Sequence, residues 1–306
     1  MKTPVMNLPP AGLIGLGNMG GAIAERLVDR GVELHVHDLD AAAAERLGAR
    51  GARMHPSARS VADAAEIVCT CLPTVEASRA VVLGDDGLGR GRRIRWFVEM
   101  STVGAAAVSA FAEHLAHRRV GTLDAPVSGG ASGARGGSLT IMTAGPPEVR
   151  EAVAPLLAFL ASRVFVIGDA PGAAQTMKLV NNVLAAANIA NAFEAVVLGV
   201  KLGLPPATIV EVIGASSGGN AAMVMKKLTT ALARRFTGGG KIAVLDKDVS
   251  LALAEARQAG LPLSAMSGLV GAAKDWQAAV SEGMAQDDTS ALIRFIEKAA
   301  GVEVRG

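Results

Sequence analysis

A single lysine lies in the long apolar segment GAAQTMKLVNNVLAAANIANAF, residues 172–193. Lys178 is the only ionisable side chain between Asp169 and Glu194. The segment follows Pro171, has no internal proline and is rich in Ala and Leu, which predicts a helix. Burial in such a helix disfavours the charged ammonium and prepares the lysine to exchange a proton. The position therefore suits a general acid or base, with a snorkelling lysine that reaches solvent as the alternative.

Two carboxamides follow the lysine at helical spacing. Asn182 lies four residues after Lys178, on the same face of the predicted helix, and Asn181 borders that face. A carboxamide can hold an amine in place and can also hydrogen-bond a substrate oxygen. The pair Lys178 and Asn182 therefore predicts proton transfer to or from an oxygen of a small substrate.

Three glycines near the start of the chain, Gly15, Gly17 and Gly20, have G-x-G-x-x-G spacing. The first permits a tight turn, the second lets the backbone approach a pyrophosphate, and the third lets a helix lie close to a strand. The motif follows an apolar run and opens a helical pattern, whose N-terminus can bind an anion. The predicted dinucleotide site includes Asn18 and Met19; a tight turn without a ligand is the alternative.

Asp38 ends the next apolar run, close to the offset of about 20 residues at which this motif places a ribose-binding acid. Its carboxylate can accept hydrogen bonds from both hydroxyls of the adenosine ribose, but it would repel a 2′-phosphate. The residues directly after it are Leu39 and Asp40, with no arginine to hold that phosphate. NAD is therefore predicted in preference to NADP.

A glycine-rich segment, DAPVSGGASGARGGSL at residues 124–139, follows another apolar run. Its Ser-Gly-Gly turn, formed by Ser128, Gly129 and Gly130, can present backbone N–H groups and a hydroxyl to a carboxylate. A flexible surface loop is the alternative for a sequence of this kind. The lysine and the dinucleotide motif in the same chain favour a small carboxylate substrate.

The elements that must position these residues change character along the chain. Up to about residue 168, the apolar runs AGLIGL, ELHVHD, EIVCTCL, RWFVEM, GTLDAPV, LTIMTAG and RVFVIG alternate with helical patterns. This alternation predicts βαβ units and a mainly parallel sheet covered on both faces. After Pro171 only helical patterns occur, at 172–200, 206–215, 219–234, 240–258, 262–282 and 288–300.

The predicted fold class is therefore an α/β Rossmann-type doubly wound sheet followed by an all-helical C-terminal domain. Residues 1–168 are predicted to bind the cofactor, and residues 169–306 to bind the substrate and to form an oligomer. Lys178 follows the predicted domain junction closely, and ligands favour clefts at such junctions. The apolar C-terminal helices predict a homodimer or homotetramer.

Composition limits the partners. The 306-residue chain is 50% hydrophobic and 19% charged, with a net charge of +2, so neither nucleic acid nor a membrane surface is expected as a partner. A short basic cluster reads as a solvated loop; its members are Arg90, Arg92, Arg93 and Arg95. No metal-ligand pattern is predicted.

Three features of the sequence predict a soluble cytoplasmic protein. Cys69 and Cys71 fall on one face of a predicted strand, where a disulfide is geometrically poor, so both are expected to be free thiols. The N-terminus MKTPVMNLPP lacks the apolar run of a signal peptide. Asparagines interrupt the long apolar helix at the length that a membrane span needs.

Taken in order, the motifs resemble the β-hydroxyacid dehydrogenases over nearly the whole chain. They are GLIGLGNMG, STV at 101–103, DAPVSGG with its glycine-rich continuation, Gly172 with Lys178 and Asn182, and Lys247-Asp248. This family includes 3-hydroxyisobutyrate dehydrogenase and tartronate semialdehyde reductase. The resemblance implies an NAD-dependent oxidoreductase that interconverts a short 3-hydroxy acid and its aldehyde or keto acid.

The resemblance also implies roles for individual residues. Ser128, Gly129 and Gly130 would bind the substrate carboxylate, Lys178 would be catalytic with Asn182 in support, and Lys247 would close the pocket over substrate and cofactor. Ser101 and Thr102 would lie near the nicotinamide, and Leu72 and Pro73 near the cofactor ribose. Ala174 and Ala144 stand where the family often has glycine, and residues 216–227 match no single member's substrate-specific segment.

Two alternatives remain open at this point. An imine reductase-like NAD(P)H enzyme would share the fold, but such enzymes usually lack the lysine found at Lys178. A non-catalytic nucleotide-binding module would be expected to have lost Lys178 or the Ser-Gly-Gly turn.

Overall fold

The computed structural model describes residues 8–219, 222–237 and 239–306, without the side chains of 222–225. The chain forms two compact units, Met1–Lys178 and Leu179–Gly306. Sequence patterns divide the chain at 168/169 instead, so the division between the compact units falls ten residues later, inside a helix. The assignment of separate cofactor and substrate roles to the two domains stays a prediction. Most of the N-terminal segment used to argue against a signal peptide lies outside the described residues.

The first unit is built on a single sheet. Its strands are β1 Ala11–Ile14, β2 Leu34–His37, β3 Arg53–Met54, β4 Ile67–Thr70, β5 Trp96–Glu99, β6 Gly121–Asp124, β7 Val127–Ser128, β8 Leu139–Ala144 and β9 Ala161–Gly168. Its helices are α1 Asn18–Asp29, α2 Ala41–Gly48, α3 Ala58–Ala64, α4 Val75–Leu83, α5 Ala105–Ala116, α6 Gly130–Gly136 and α7 Pro147–Leu157. The strand order is β3-β2-β1-β4-β5-β6-β8-β7, and β9 pairs with β8.

The pairing confirms a doubly wound, mainly parallel sheet. Strands β1 to β6 are parallel to one another, whereas β8 runs antiparallel to β6 and β7. Side chains alternate along a strand, so Leu13 packs into the core on one face and Ile14 into the core on the other. Burial on both faces explains why these strands read as continuous apolar runs.

Three details differ from the sequence expectation. The strands β3 and β7 have two residues each, too few to produce a periodic pattern. The glycine-rich stretch Gly130–Gly136, expected as a loop, is the short helix α6. The apolar strand β9 is not covered on both faces in the single chain, because Val164–Ile167 are between 37% and 61% exposed.

The second unit is all-helical, as predicted. The long helix α8 covers Ala173–Lys201, and α9 Pro206–Ala215, α10 Ala222–Leu232, α11 Ile242–Gln258, α12 Ser267–Ala279 and α13 Leu292–Ala300 follow. Trp276 is fully buried in their core and donates its indole N–H to the carbonyl of Ala186 at 3.2 Å. By length and composition, α8 is the one helix among the described residues that could cross a membrane. This is weak support for a span, because core helices pass the same test and 56% of the apolar window is buried.

Candidate active site

The glycine turn joins β1 to α1 and leaves room for a phosphate. Gly15 has φ +92°, and a side chain there would collide with the carbonyl of Cys71. A side chain at Gly20 would collide with the carbonyl of Gly15, whereas no atom lies within 4 Å of the Cβ position at Gly17. No side chain caps the N-terminus of α1. Backbone N–H groups and the helix dipole are therefore available to an anion that approaches over Gly17, which fits a dinucleotide pyrophosphate.

Asp38 lies at the end of β2, next to this turn. One carboxylate oxygen accepts the N–H of Leu16 at 2.5 Å, and the other accepts the N–H of Asp40 at 2.7 Å. The carboxylate is thereby held at the wall of a cavity of about 550 Å³ beside the glycine turn. Each oxygen keeps a lone pair for a further donor, so a ribose diol can be bound there.

Three arginines that sequence reasoning left out line the same cavity: Arg46, Arg50 and Arg135. Arg50 lies 2.7 Å from Asp29, and Arg135 lies 2.7 Å from Glu25. The residues directly after Asp38 include no arginine, whereas the following helix α2 brings Arg46 to the cavity and Arg50 lies just beyond the end of that helix.

A buried acid holds the loops at the ends of β4 and β5. Glu99 Oε1 accepts the hydroxyl of Thr70 and the N–H of Ser101, each at 2.9 Å. Ser101 Oγ in turn accepts the N–H of Leu72 at 2.8 Å. Burial raises the pKa of Glu99 above its usual range, and the nearby Asp124 adds to this shift. Two segments that the resemblance assigns to the cofactor, those of Leu72 and Ser101, are therefore joined by direct contacts.

The remaining residues predicted near the cofactor differ in exposure. Thr102 is half-buried after Ser101, and Pro73 is exposed after Leu72. Asn18 is exposed at the start of α1, and Met19 is half-buried behind it.

The start of α8 is bound to the sheet through Asp124 and Gln175. Asp124 Oδ2 accepts the N–H groups of Gly172 at 2.9 Å and Gln175 at 3.0 Å. Gln175 Nε2 donates to Asp124 Oδ1 at 2.8 Å and to the carbonyl of Ser101 at 3.0 Å. Burial raises the pKa of Asp124, and the hydrogen bonds from Gln175 and Gly172 counteract this shift. Neither Asp124 nor Gln175 was among the residues that the sequence singled out.

Lys178 follows Gln175 by three residues on α8 and is only 7% exposed. A snorkelling lysine would place its ammonium in water, so this burial argues against that alternative. Asn182, four residues further along α8, lies on the same helix face.

In the second unit, a buried carboxylate joins the two residues predicted there. Asn182 Nδ2 donates to Asp248 Oδ2 at 2.6 Å, and Lys247 Nζ lies 2.9 Å from Asp248 Oδ1. Asn181 Nδ2 donates to Asn182 Oδ1 at 3.0 Å. Asp248 is 3% exposed and orients both Asn182 and Lys247. Its place directly after Lys247 in the Lys-Asp motif was the available signal.

The Ser-Gly-Gly turn lies between β7 and α6. Ser128 is half-buried, and the exposed Gly129 and Gly130 have φ +128° and +67°. These values lie in the left-handed region, where only glycine is unstrained. No side chain caps the start of α6, so backbone N–H groups near Ser128 can receive a carboxylate.

The cysteines, the acidic residues and the basic cluster are the candidates for a nucleophile, a metal site and a nucleic-acid site, respectively. Cys69 and Cys71 are free, as expected, and burial raises the pKa of each thiol to about 12. A thiolate nucleophile is therefore disfavoured at neutral pH. Within the described parts of the chain, no group of three or more His, Cys, Asp or Glu residues is placed to hold a metal ion. The four arginines from Arg90 to Arg95 lie within 3.9 Å of carboxylates at the surface.

Two family models together match most of the chain. Residues 10–168 match the model described as the NAD binding domain of 6-phosphogluconate dehydrogenase. Residues 172–296 match the model described as NAD-binding of NADP-dependent 3-hydroxyisobutyrate dehydrogenase.

Individual relatives are similar over nearly their full length. The chain is 36% identical over 296 residues to 2-(hydroxymethyl)glutarate dehydrogenase of Eubacterium barkeri, which covers 96% of this chain and 97% of the relative. It is 37% identical over 265 residues to 3-hydroxyisobutyrate dehydrogenase of Pseudomonas aeruginosa, and the match covers 83% of this chain and 88% of the relative. The structure of Mycobacterium tuberculosis 3-hydroxyisobutyrate dehydrogenase with L-serine superposes with a TM-score of 0.83 at 29% identity. The superposition covers 94% of this chain and 99% of that structure's chain.

Proposed function

The chain belongs to the β-hydroxyacid dehydrogenase family and is an NAD(P)-dependent oxidoreductase of hydroxy acids, and we propose that it interconverts a short 3-hydroxy acid and its aldehyde or keto acid. Substrates like 3-hydroxyisobutyrate, or like tartronate semialdehyde and glycerate, are the leading class. The observation that carries the proposal is the burial of Lys178 on α8. This lysine lies three residues after Gln175, and Gln175 donates a hydrogen bond to the carbonyl of Ser101.

The proposed chemistry divides between several groups of the chain. When NAD is bound, its nicotinamide supplies the hydride acceptor. Lys178 takes the hydroxyl proton of the substrate during oxidation and returns it to the carbonyl oxygen during reduction. Asn182 supports the lysine and hydrogen-bonds the same substrate oxygen. The Ser128–Gly130 backbone and Lys247 bind the substrate carboxylate.

One panel of small hydroxy acids tests the proposal directly. Oxidation of at least one short 3-hydroxy acid should produce NADH, followed by its absorbance, and 2-hydroxy acids of equal length serve as the matched comparison. No turnover of any hydroxy acid in either direction would contradict the proposed reaction. Reduction of cyclic imines in a parallel assay would instead support the imine reductase alternative, and cofactor binding without any turnover would support the non-catalytic module.

We further propose that NAD is preferred over NADP, because Asp38 lines the adenosine-side cavity. Asp38→Ser should raise kcat/KM with NADPH relative to NADH by at least about tenfold, equivalent to about 1.4 kcal/mol. The change removes a charge that repels the 2′-phosphate, while Arg46 and Arg50 remain on the cavity wall. The fully exposed Asp85, changed to serine, is the matched control. A wild-type enzyme that prefers NADPH would show that these arginines outweigh Asp38.

The exposed face of α8 supports a homodimer or homotetramer, which we also propose. Val180, Leu184 and Leu198 lie on this face, and each is more than half exposed in the single chain. A second copy of the chain that packed on this face would cover these side chains and bury part of the roughly 800 Å² per partner of a standard interface. We also propose a cytoplasmic location, which the two free thiols support.

Replacing Leu184 and Leu198 by glutamate is expected to lower the molar mass in solution towards that of the monomer. Two charges would have to be buried without partners if the oligomer formed. Size-exclusion chromatography with light scattering measures the mass, and Leu261→Glu, exposed outside α8, is the matched control. An unchanged mass in the double variant would place the interface elsewhere.

A further inference from the structure

We propose that Gln175 is a positioning residue: fixed by Asp124, it sets the distance between the Ser101–Gly104 turn and Lys178. The inference rests on the proposed function, in which Lys178 and this turn serve one hydride transfer. It assigns a role to a neutral, fully buried side chain that touches neither substrate nor cofactor in the scheme above.

Gln175 hydrogen-bonds three of the four residues of the turn through one carboxamide. Its Oε1 accepts the N–H groups of Val103 at 2.9 Å and Gly104 at 3.1 Å. Its Nε2 donates to the carbonyl of Ser101 at 3.0 Å. The three bonds define where the turn lies relative to α8, because a planar amide with both ends bound has no freedom to rotate.

Asp124 fixes the other end of the network. Its carboxylate accepts the remaining N–H of the Gln175 amide and the backbone N–H groups of Gly172 and Gln175. The last two contacts cap the start of α8, a task that an N-terminal side chain usually performs. The residue Asp124 also ends β6, four residues before Ser128. The helix start, the turn and the strand that leads to Ser128 are therefore joined at one point.

Because Gln175 and Lys178 lie on the same helix, the position of Gln175 also sets the position of Lys178. Lys178 lies three residues after Gln175 within continuous α8, about 4.5 Å along the helix axis, because each residue adds about 1.5 Å. A helix is stiff over this distance, so a shift of Gln175 relative to the turn moves Lys178 by a similar amount. Misplacement of a reacting group by about 1 Å can cost a large part of the rate.

The chemistry of the network requires a carboxamide and excludes a carboxylate. A glutamate at 175 would accept from Val103 and Gly104 with one oxygen, but its other oxygen would face two acceptors, the Ser101 carbonyl and Asp124. Only its protonated form could donate a hydrogen bond there. The titratable groups around the network are Asp124 on β6, Glu99 on β5 and Lys178 on α8.

Gln175→Glu gives a pH test of the proposal. At pH 8 the variant is expected to show at least a tenfold lower kcat for hydroxy-acid oxidation, with little change in KM. The loss relative to wild type should shrink as the pH is lowered, because the protonated glutamic acid regains one of the two lost donors. In Gln175→Ala the loss should stay constant with pH, since no group at 175 titrates. A kcat equal to wild type in both variants, or a loss in Gln175→Glu that does not change with pH, would overturn the proposal.

Two controls separate positioning from general stability. Thr176→Ala changes the next residue of α8, which is exposed, and should leave kcat unchanged. Thr143→Val removes a hydrogen bond to the carbonyl of Phe165, a bond in which Gln175 and Asp124 take no part. This variant should lower Tm without lowering kcat, and a matching loss of kcat in it would show that the Gln175 effect is only structural.

Hydrogen exchange makes the test independent of the substrate. In the wild-type protein, the amides of Val103 and Gly104 should exchange slowly, and in Gln175→Ala they should exchange faster than other amides of the first unit. Unprotected Val103 and Gly104 amides in the wild type would overturn the proposal without any variant. If the exchange result holds while no hydroxy acid is turned over, the proposed function fails but the placement of the turn by Gln175 stands.

Discussion

Replacement of Lys178 by alanine is expected to lower kcat for hydroxy-acid oxidation at least ~100-fold, the low end of general acid–base contributions. The protein should still fold and bind NADH, because the glycine turn, Asp38 and the Glu99 contacts do not involve this side chain. Lys178 is 7% exposed on this apolar helix, and such a position suits the proton exchange proposed for it.

Two further measurements distinguish a proton-transfer role from a purely electrostatic one. Lys178→Arg should be nearly as slow as the alanine variant, because a guanidinium stays protonated and cannot act as a base. The rate of oxidation by the wild type should rise with pH through one ionisation, since only the neutral amine accepts the hydroxyl proton. That rising limb should be absent from the alanine variant.

Lys201→Ala is the matched control, since Lys201 lies on the same helix and bonds the carbonyl of Ala300. Its kcat should equal that of the wild type. A Lys178→Ala enzyme with near-normal kcat would remove the lysine from the mechanism, and the buried position would then need a structural explanation.

Periodicity predicted the architecture because most elements are long enough to show it. The helix α9 begins and ends where the pattern placed it, at residues 206–215, and α8 is within one residue at each end. Proline at the start of α9 makes this boundary readable, since it suits the first turn of a helix. The antiparallel part of the sheet was not predictable in the same way, because β7 has only two residues and its pairing with β8 depends on tertiary contacts.

The sequence indicates candidate site residues where a residue type carries the chemistry, and their roles stay predictions. Lysine, glycine and aspartate at fixed spacing indicated Lys178, the glycine turn and Asp38. The residues that hold these groups were missed, because glutamine or a second acid has no characteristic spacing. Gln175 contacts Val103, some 70 residues away in sequence, and only the folded chain reveals such a contact. Asp248 was quoted within a motif, yet its bonds to Asn182 and Lys247 appear only in the structure.

The burial of α8 also shows a limit of composition. The apolar sequence of this helix is compatible with burial in a core or with an interface to a second copy, and in the single chain Val180, Leu184 and Leu198 are more than half exposed. Hydrophobicity reports that a surface avoids water, but it does not distinguish a core from an interface with a second copy. The same holds for β9, whose apolar sequence led to the expectation of a covered strand.

The second large effect is expected on KM, from loss of the residues proposed to bind the substrate carboxylate. Ser128→Ala and Lys247→Ala should each raise the KM for a 3-hydroxy acid by about 10- to 100-fold, since a hydrogen bond to a charged group contributes about 1.5–3 kcal/mol. The kcat should change less than KM, because the proposed contacts to the substrate carboxylate would be equally strong in the ground state and the transition state. Initial rates at saturating NAD measure both constants.

Two matched controls lie close in sequence to the proposed carboxylate ligands. Ser138→Ala removes a hydroxyl from the same glycine-rich segment, and Lys241→Ala removes an exposed ammonium at the start of α11. Neither change should affect KM. Equal KM values in the Ser128 and Lys247 variants and in the wild type would place the carboxylate elsewhere.

The ion pair between Lys247 and Asp248 allows the KM effect of Lys247 to be separated from the effect of Asp248 on Asn182. An ammonium has three donors, so Lys247 can keep Asp248 and still bind a substrate carboxylate. Asp248→Asn weakens the hold on Lys247 and changes the bond to Asn182, so both carboxylate binding and support of the substrate oxygen are affected. This variant should therefore raise KM and lower kcat together, whereas Lys247→Ala should act mainly on KM. If Asp248→Asn instead matched Lys247→Ala in both constants, Asp248 would act through Lys247 alone, and its bond to Asn182 would have no part in the reaction.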